Sequence, residues 1–63
     1  ALPLLIHALD DPSSGVRYLA ATKLQQLGGQ DTVNALSSYI QNTGTEAGKK
    51  EAAKILGQLV ENQ

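Results

Sequence analysis

The side chains that could carry chemistry are few in this 63-residue chain, and their spacing supports no reactive site. His7 is the single histidine and there is no cysteine, so thiolate metal sites and disulfides are excluded. A metal site would need further ligands near His7, and no His–Glu pair is present. Helical spacing places His7 about opposite Leu5, so we predict a solvent-facing residue and no metal site.

Other polar patterns also lack what catalysis requires. Asp10 and Asp11 form a carboxylate pair, but the end of one helix followed by the cap of the next explains them. Gly28-Gly29 lacks the rest of a phosphate-binding loop. The serines have no histidine or acid at a persuasive spacing; they are Ser13, Ser14, Ser37 and Ser38. We therefore predict no catalytic residue, no cofactor and no enzyme activity in this chain.

The charge pattern argues against nucleic acid and membrane as partners. The net charge is -1, and Lys49, Lys50 and Lys54 form the only basic cluster, which a solvated helix face explains. Nucleic-acid recognition would require more cations and stacking aromatics. No apolar stretch approaches the roughly 18 residues of a membrane span. We expect a cytoplasmic protein.

The elements that carry these residues are helices. Apolar residues at helical spacing predict a first helix that contains Leu2, Leu5 and Leu9 and ends near Asp10. Asp11 as cap and Pro12 as first residue predict the start of a second helix, which Gly28-Gly29 ends. Its predicted inward stripe is Val16, Leu19, Ala20, Leu24 and Leu27.

Two further helices follow. Asp31 is the predicted cap of the third, whose stripe is Val33, Leu36 and Ile40, with Tyr39 beside it. Asn42-Thr43-Gly44 is a break, and Thr43 and Glu46 stand at capping-box spacing for a fourth helix. The predicted inward residues of that helix are Ala52, Ile55, Leu56, Leu59 and Val60.

The two halves of the chain repeat each other. A shift of about 31 residues, with one more in the inter-helix loop, superposes the two apolar patterns. Arg17 then meets Lys49, and Ala20-Ala21 meets Ala52-Ala53. We divide the single domain, 1–63, into repeat one (1–29) and repeat two (30–63). One helix pair cannot bury its apolar face alone, so we expect stacked pairs within a longer solenoid.

The first repeat resembles a known family. Its motifs are Leu4 to Pro12, Gly15-Val16-Arg17, Ala20-Ala21 and Leu24 to Gly28, and they are similar to the HEAT-like repeat named after phycobilisome bilin lyases. Repeat two is looser, with Gly48-Lys49 in place of Val–Arg and no Asp–Pro. The resemblance implies an all-α fold, an α-solenoid fragment of two antiparallel helix pairs. It also implies that Asp11 and Arg17 are structural, because such an aspartate typically meets the arginine of a neighbouring repeat.

The family suggests several functions. The leading hypothesis is a protein-interaction scaffold whose partners are another protein and neighbouring HEAT-like repeats. The alternative is part of a bilin lyase or a phycobilisome-associated factor, with a phycobiliprotein as partner. A nucleic-acid-binding HEAT-like domain is a remote alternative. The family also includes a metal-dependent hydroxylase, which the missing His–Glu pair argues against.

The resemblance also names a binding face. In HEAT-like solenoids, the second helix of each pair lines the concave surface. The predicted concave residues are Tyr18, Thr22, Gln25, Lys50, Lys54 and Gln58, with Gly57 alongside. Tyr18 is the expected anchor. The two lysines predict a mildly cationic surface that favours an acidic partner.

Overall fold

Four helices account for nearly all of residues 2–61, which are the residues that the computed structural model describes. They are α1 (Leu2–Ala8), α2 (Ser14–Leu27), α3 (Gly29–Asn42) and α4 (Glu46–Glu61). There is no strand among the described residues. The predicted fold class, an all-α fragment of two helix pairs, is confirmed.

The helices pack as two stacked pairs. Within the pairs, α1 packs on α2 and α3 packs on α4. Between the pairs, α2 packs along α4, while α1 touches α3 more lightly. The second helices of the two pairs are therefore neighbours, and a groove runs between them.

The core lies where the four helices meet. Its largest fully buried side chains are Leu9, Leu24, Leu36 and Ile55. Small residues supplement them at Ala20, Ala21 and Ala52. An alanine at a helix contact lets two backbones approach closely, and these three alanines belong to the core between the helices. Ala53, by contrast, is exposed.

The predicted inward stripe of α2 is partly wrong. Ala20 and Leu24 are buried, but Val16, Leu19 and Leu27 are 39%, 59% and 55% exposed. On the helical wheel these three lie on the side of α2 turned away from the groove with α4. Apolar spacing identified them as able to be buried, but the described elements cover that side only in part.

The starts of α2 and α3 differ from the predicted ones, and neither helix has a side-chain hydrogen bond at its N-cap. At α2, the Asp11 carboxylate accepts a hydrogen bond from the Ser13 amide at 2.8 Å, and the helix begins only at Ser14. Asp11 thus forms a turn before the helix rather than its cap, and Pro12 lies in that turn. At α3, the helix begins at Gly29, directly after Gly28 has taken a φ of 57°. Asp31 therefore lies in the first turn, where its negative charge interacts favourably with the helix dipole.

The predicted capping box at α4 is also wrong. Thr43 ends α3, where its amide bonds to the Tyr39 carbonyl. The Thr45 hydroxyl instead accepts from the Gly48 amide at 3.1 Å, which satisfies one free N–H at the start of α4. Glu46 is the first residue of the helix, and its carboxylate lies 3.6 Å from the Lys49 ammonium.

Candidate functional site

The groove between α2 and α4 brings together the residues predicted for the concave face. It contains two adjoining shallow concavities, of about 750 Å³ and about 210 Å³. Tyr18 lines both, and Lys50 lines the larger one. The other predicted residues line the smaller one: Thr22, Gln25, Lys54 and Gln58. Gly57 lies outside both.

The α2 wall of the groove is uncharged except at its end. Tyr18 is 69% exposed, so its ring is available to a partner. Thr22 uses its hydroxyl within the helix, where it donates to the Tyr18 carbonyl at 3.0 Å. Gln25 is exposed one turn further along. This wall therefore offers one aromatic ring and one free amide.

The α4 wall carries charges of both signs. Lys50 and Lys54 are exposed, as expected for a face that meets solvent. Glu46 lines the larger concavity, and Glu51 lines both. With Arg17, the two concavities are lined by three cations and two carboxylates, so the groove is mixed in charge with a small positive excess. The expected preference for an acidic partner stays a prediction.

Glu51 is the groove residue that the sequence analysis missed. It lies half-buried at the middle of the groove. The ion pair found among the described residues joins Lys49 to Glu46, so no lysine or arginine nitrogen lies within bridging distance of Glu51. A signal was present, since Ala47 and Ile55 stand four residues on either side of Glu51 and share its helix face.

Arg17 lies at one end of the groove, and its guanidinium already makes hydrogen bonds within the chain. Its Nη1 donates to the carbonyl oxygens of Asp11 at 2.7 Å and Pro12 at 3.0 Å. It therefore holds the loop between α1 and α2, by backbone carbonyls rather than by the aspartate of a neighbouring repeat. The guanidinium therefore stabilises the loop beside the groove rather than standing free to bind a ligand.

A hydrogen-bonded cluster joins the two repeats at the same end. The Asp10 carboxylate oxygen Oδ1 accepts from the Tyr39 hydroxyl at 2.6 Å and from the Thr45 amide at 3.1 Å. The Tyr39 bond holds the pKa of Asp10 below its ordinary value, and the Thr45 amide adds to this. Burial, with the bond to Asp10, raises the pKa of Tyr39. We call this cluster the Asp10 clasp. It fixes the start of α4, and hence Glu46, against repeat one.

The remaining predicted features lie away from the groove. His7 is exposed on α1, as predicted. Within residues 2–61, no three His, Asp or Glu side chains gather closely enough to hold a metal ion. None of the helices in that range is both long and apolar enough to cross a membrane.

Comparison with known proteins identifies the fold but no individual relative. A family model described as HEAT repeats matches residues 1–63. No curated protein and no solved structure matches the chain.

Proposed function

The chain belongs to the HEAT repeat family, and we propose that its α2/α4 groove binds another protein. The observation that carries the proposal is the convergence of Tyr18, Gln25, Lys50 and Gln58 on one groove between the stacked second helices. HEAT repeats commonly mediate protein–protein interactions, which supports the same conclusion.

The form of the groove favours a macromolecular partner over a small molecule. Small-molecule sites are concave and enclose most of the ligand. Here the walls are exposed side chains such as Tyr18 and Lys50, and the concavities are shallow. The mixed charge also gives no continuous basic track for a nucleic-acid backbone. A scaffold function without catalysis of its own fits these features.

We infer a narrower function from the sequence motifs alone. The Asp–Pro and Val–Arg motifs of 11–17 are similar to those of the phycobilisome bilin lyase type, which would make a phycobiliprotein the partner. The chain would then be the binding part of a lyase or of a phycobilisome-associated factor. Binding of a purified phycobiliprotein tests this directly. Cytoplasmic location stays a prediction.

The proposed function is tested by affinity capture with the complete protein. Tyr18→Ala combined with Lys50→Glu should reduce partner capture, since truncating an aromatic anchor costs about 2 kcal/mol or more at an interface. Leu4→Ala is the matched control, because Leu4 is 74% exposed but lies on α1 outside the groove. Circular dichroism first establishes that each variant keeps its helices.

The reverse pattern of partner capture would contradict the groove assignment. If the groove variant captures partners as the parent does, while changes around Leu4 and His7 on α1 abolish capture, then the binding surface lies elsewhere. The α2/α4 groove would then be ordinary solvated helix surface.

A further inference from the structure

We propose that the middle of the α2/α4 groove receives a lysine or arginine side chain of the partner, held between the Tyr18 ring and the Glu51 carboxylate. This inference rests on the proposed function and adds the chemistry of what is recognised. It adds one cation, received at Glu51, to the acidic groups that the lysines are expected to attract.

The first observation is where these two residues lie. Tyr18 on α2 and Glu51 on α4 are the two side chains shared by the larger and the smaller concavity. They therefore line the groove from its two walls where the concavities adjoin. Tyr18 is 69% exposed, so its ring is open to a partner, and Glu51 is half-buried beside it in the same concavities.

Within residues 2–61, no lysine or arginine nitrogen pairs with the Glu51 carboxylate. Arg17 donates to two loop carbonyls, and Lys49 pairs with Glu46 on its own helix. Lys50 and Lys54 are exposed, and no carboxylate oxygen of residues 2–61 lies within 4.0 Å of their nitrogens. Glu51 thus keeps its acceptor oxygens for a donor that comes from outside.

The chemistry of the pair selects a cation. An aromatic face attracts an ammonium or guanidinium group through its quadrupole, and a carboxylate attracts the same group through its charge. An anion would gain from neither. Arginine suits the pair best, because its planar guanidinium can stack on the ring and bond the carboxylate with its edge.

The neighbouring lysines give this site its selectivity. Lys50 and Lys54 flank Glu51 in sequence and repel a run of basic residues. A single arginine or lysine between neutral or acidic residues avoids that repulsion, and flanking acids can meet the lysines. The partner segment should therefore carry an isolated basic residue rather than a polybasic stretch.

The test uses the full 63-residue chain and a blocked pentapeptide, acetyl-Ala-Ala-Arg-Ala-Ala-amide, with citrulline in place of arginine as the neutral control. Amide chemical shifts are followed by two-dimensional NMR during each titration. The arginine peptide should shift the amides around Tyr18 and Glu51, and the citrulline peptide should bind more weakly. Tyr18→Leu should weaken the arginine peptide about two- to fivefold, while Tyr18→Phe keeps the ring and the binding.

Glu51→Gln should weaken the peptide by a similar factor, roughly two- to fivefold. Glu61→Gln removes the same charge from an exposed position of α4 outside both concavities, and it should have no effect. Equal shifts with arginine and citrulline, or equal losses in the two glutamine variants, would overturn the inference.

Failure of this inference can be told apart from failure of the proposed function. If the partner is still captured through the groove but Glu51→Gln leaves capture unchanged, then the groove binds by other contacts and the cation site is wrong. If the arginine peptide binds as described but groove variants leave partner capture unaffected, then the site exists and the proposed function is wrong.

Discussion

Breaking the Asp10 clasp should loosen the two repeats from each other. The perturbation is Tyr39→Phe, which removes the hydroxyl that donates to Asp10 Oδ1 at 2.6 Å and leaves the ring in the core. A hydrogen bond to a charged group contributes about 1.5–3 kcal/mol, and a neutral one about 0.5–1.5 kcal/mol. Asp10 is partly exposed, so water can replace part of the lost bond, and the expected cost is about 1–1.5 kcal/mol.

The assay is a thermal melt followed by circular dichroism. In a domain of this size a loss of 1 kcal/mol lowers Tm by roughly 4–8 °C, so the variant should melt roughly 4–12 °C below the parent. Asp10→Asn is the companion variant. Both bonds go to Oδ1, which an asparagine can retain, so this change removes the charge and leaves the acceptor.

The pH dependence gives the clasp a second readout. Because the pKa of Asp10 is lowered in the folded state, its stabilisation is present above the ordinary aspartate pKa and is lost as pH falls through the lowered value. The pKa of Tyr39 is raised, so its contribution is complete below the ordinary tyrosine pKa and is lost as pH rises through the raised value. Tyr39→Phe should remove the alkaline loss and reduce the acid loss. A variant with the parent's Tm and the parent's two pH limbs would refute this account of the clasp.

Three further predictions concern the core, the caps and the exposed apolar side of α2. Leu24→Ala removes a fully buried side chain, should cost about 2–5 kcal/mol and should abolish a cooperative thermal transition; an unchanged melt would contradict the core assignment. Thr45→Ala should cost about 0.5–2 kcal/mol in a urea titration, whereas Thr43→Ala, two residues earlier, should cost less; the reverse order would restore the capping box at Thr43. Because Leu19 is 59% exposed on an apolar side of α2, the chain should self-associate at high concentration in sedimentation experiments, and Leu19→Gln should reduce this; a parent that stays monomeric argues against it.

Helical periodicity was sufficient for the four helices and for the side of α2 that lines the groove, whereas the choice of the second helices as a binding face came from the family resemblance. Leu24 and Leu36 recur at helical spacing with their neighbours, and both are fully buried. The same wheel places Tyr18 and Gln25 opposite the core, so it also selects the groove side of α2. These properties are local to one helix, which is why the sequence alone could predict them.

What periodicity could not predict is what covers an apolar side. Val16, Leu19 and Leu27 have the right spacing for burial, yet they stay exposed because the described elements cover that side only in part. The Glu51 carboxylate in the groove was missed for a related reason. Glu51 comes from a position whose counterpart in repeat one is Leu19, so the repeat pattern gave no warning of a carboxylate.

Gly48 shows how a contact distant in sequence reverses a local interpretation. From the sequence, a glycine inside a helix reads as a weakness of about 0.5–1 kcal/mol. In the structure it is buried, and a Cβ there would collide with the Tyr39 hydroxyl and lie 2.6 Å from the Leu9 carbonyl oxygen. The glycine is therefore required by the close approach of α4 to the α3 tyrosine and to the end of repeat one.

The looseness of repeat two consequently has a physical explanation. Under the repeat alignment, Ala8 and Val16 of repeat one correspond to Tyr39 and Gly48 of repeat two. In repeat two, the Tyr39 side chain fills the space that a Cβ at position 48 would need, so a large residue at 39 requires glycine at 48. Tyr39 of repeat two supplies a hydroxyl that reaches Asp10, whereas its counterpart Ala8 has no hydroxyl. The departure from the Val–Arg motif is thus the place where the repeats are joined, and it sets the position of the α4 wall that carries Glu51.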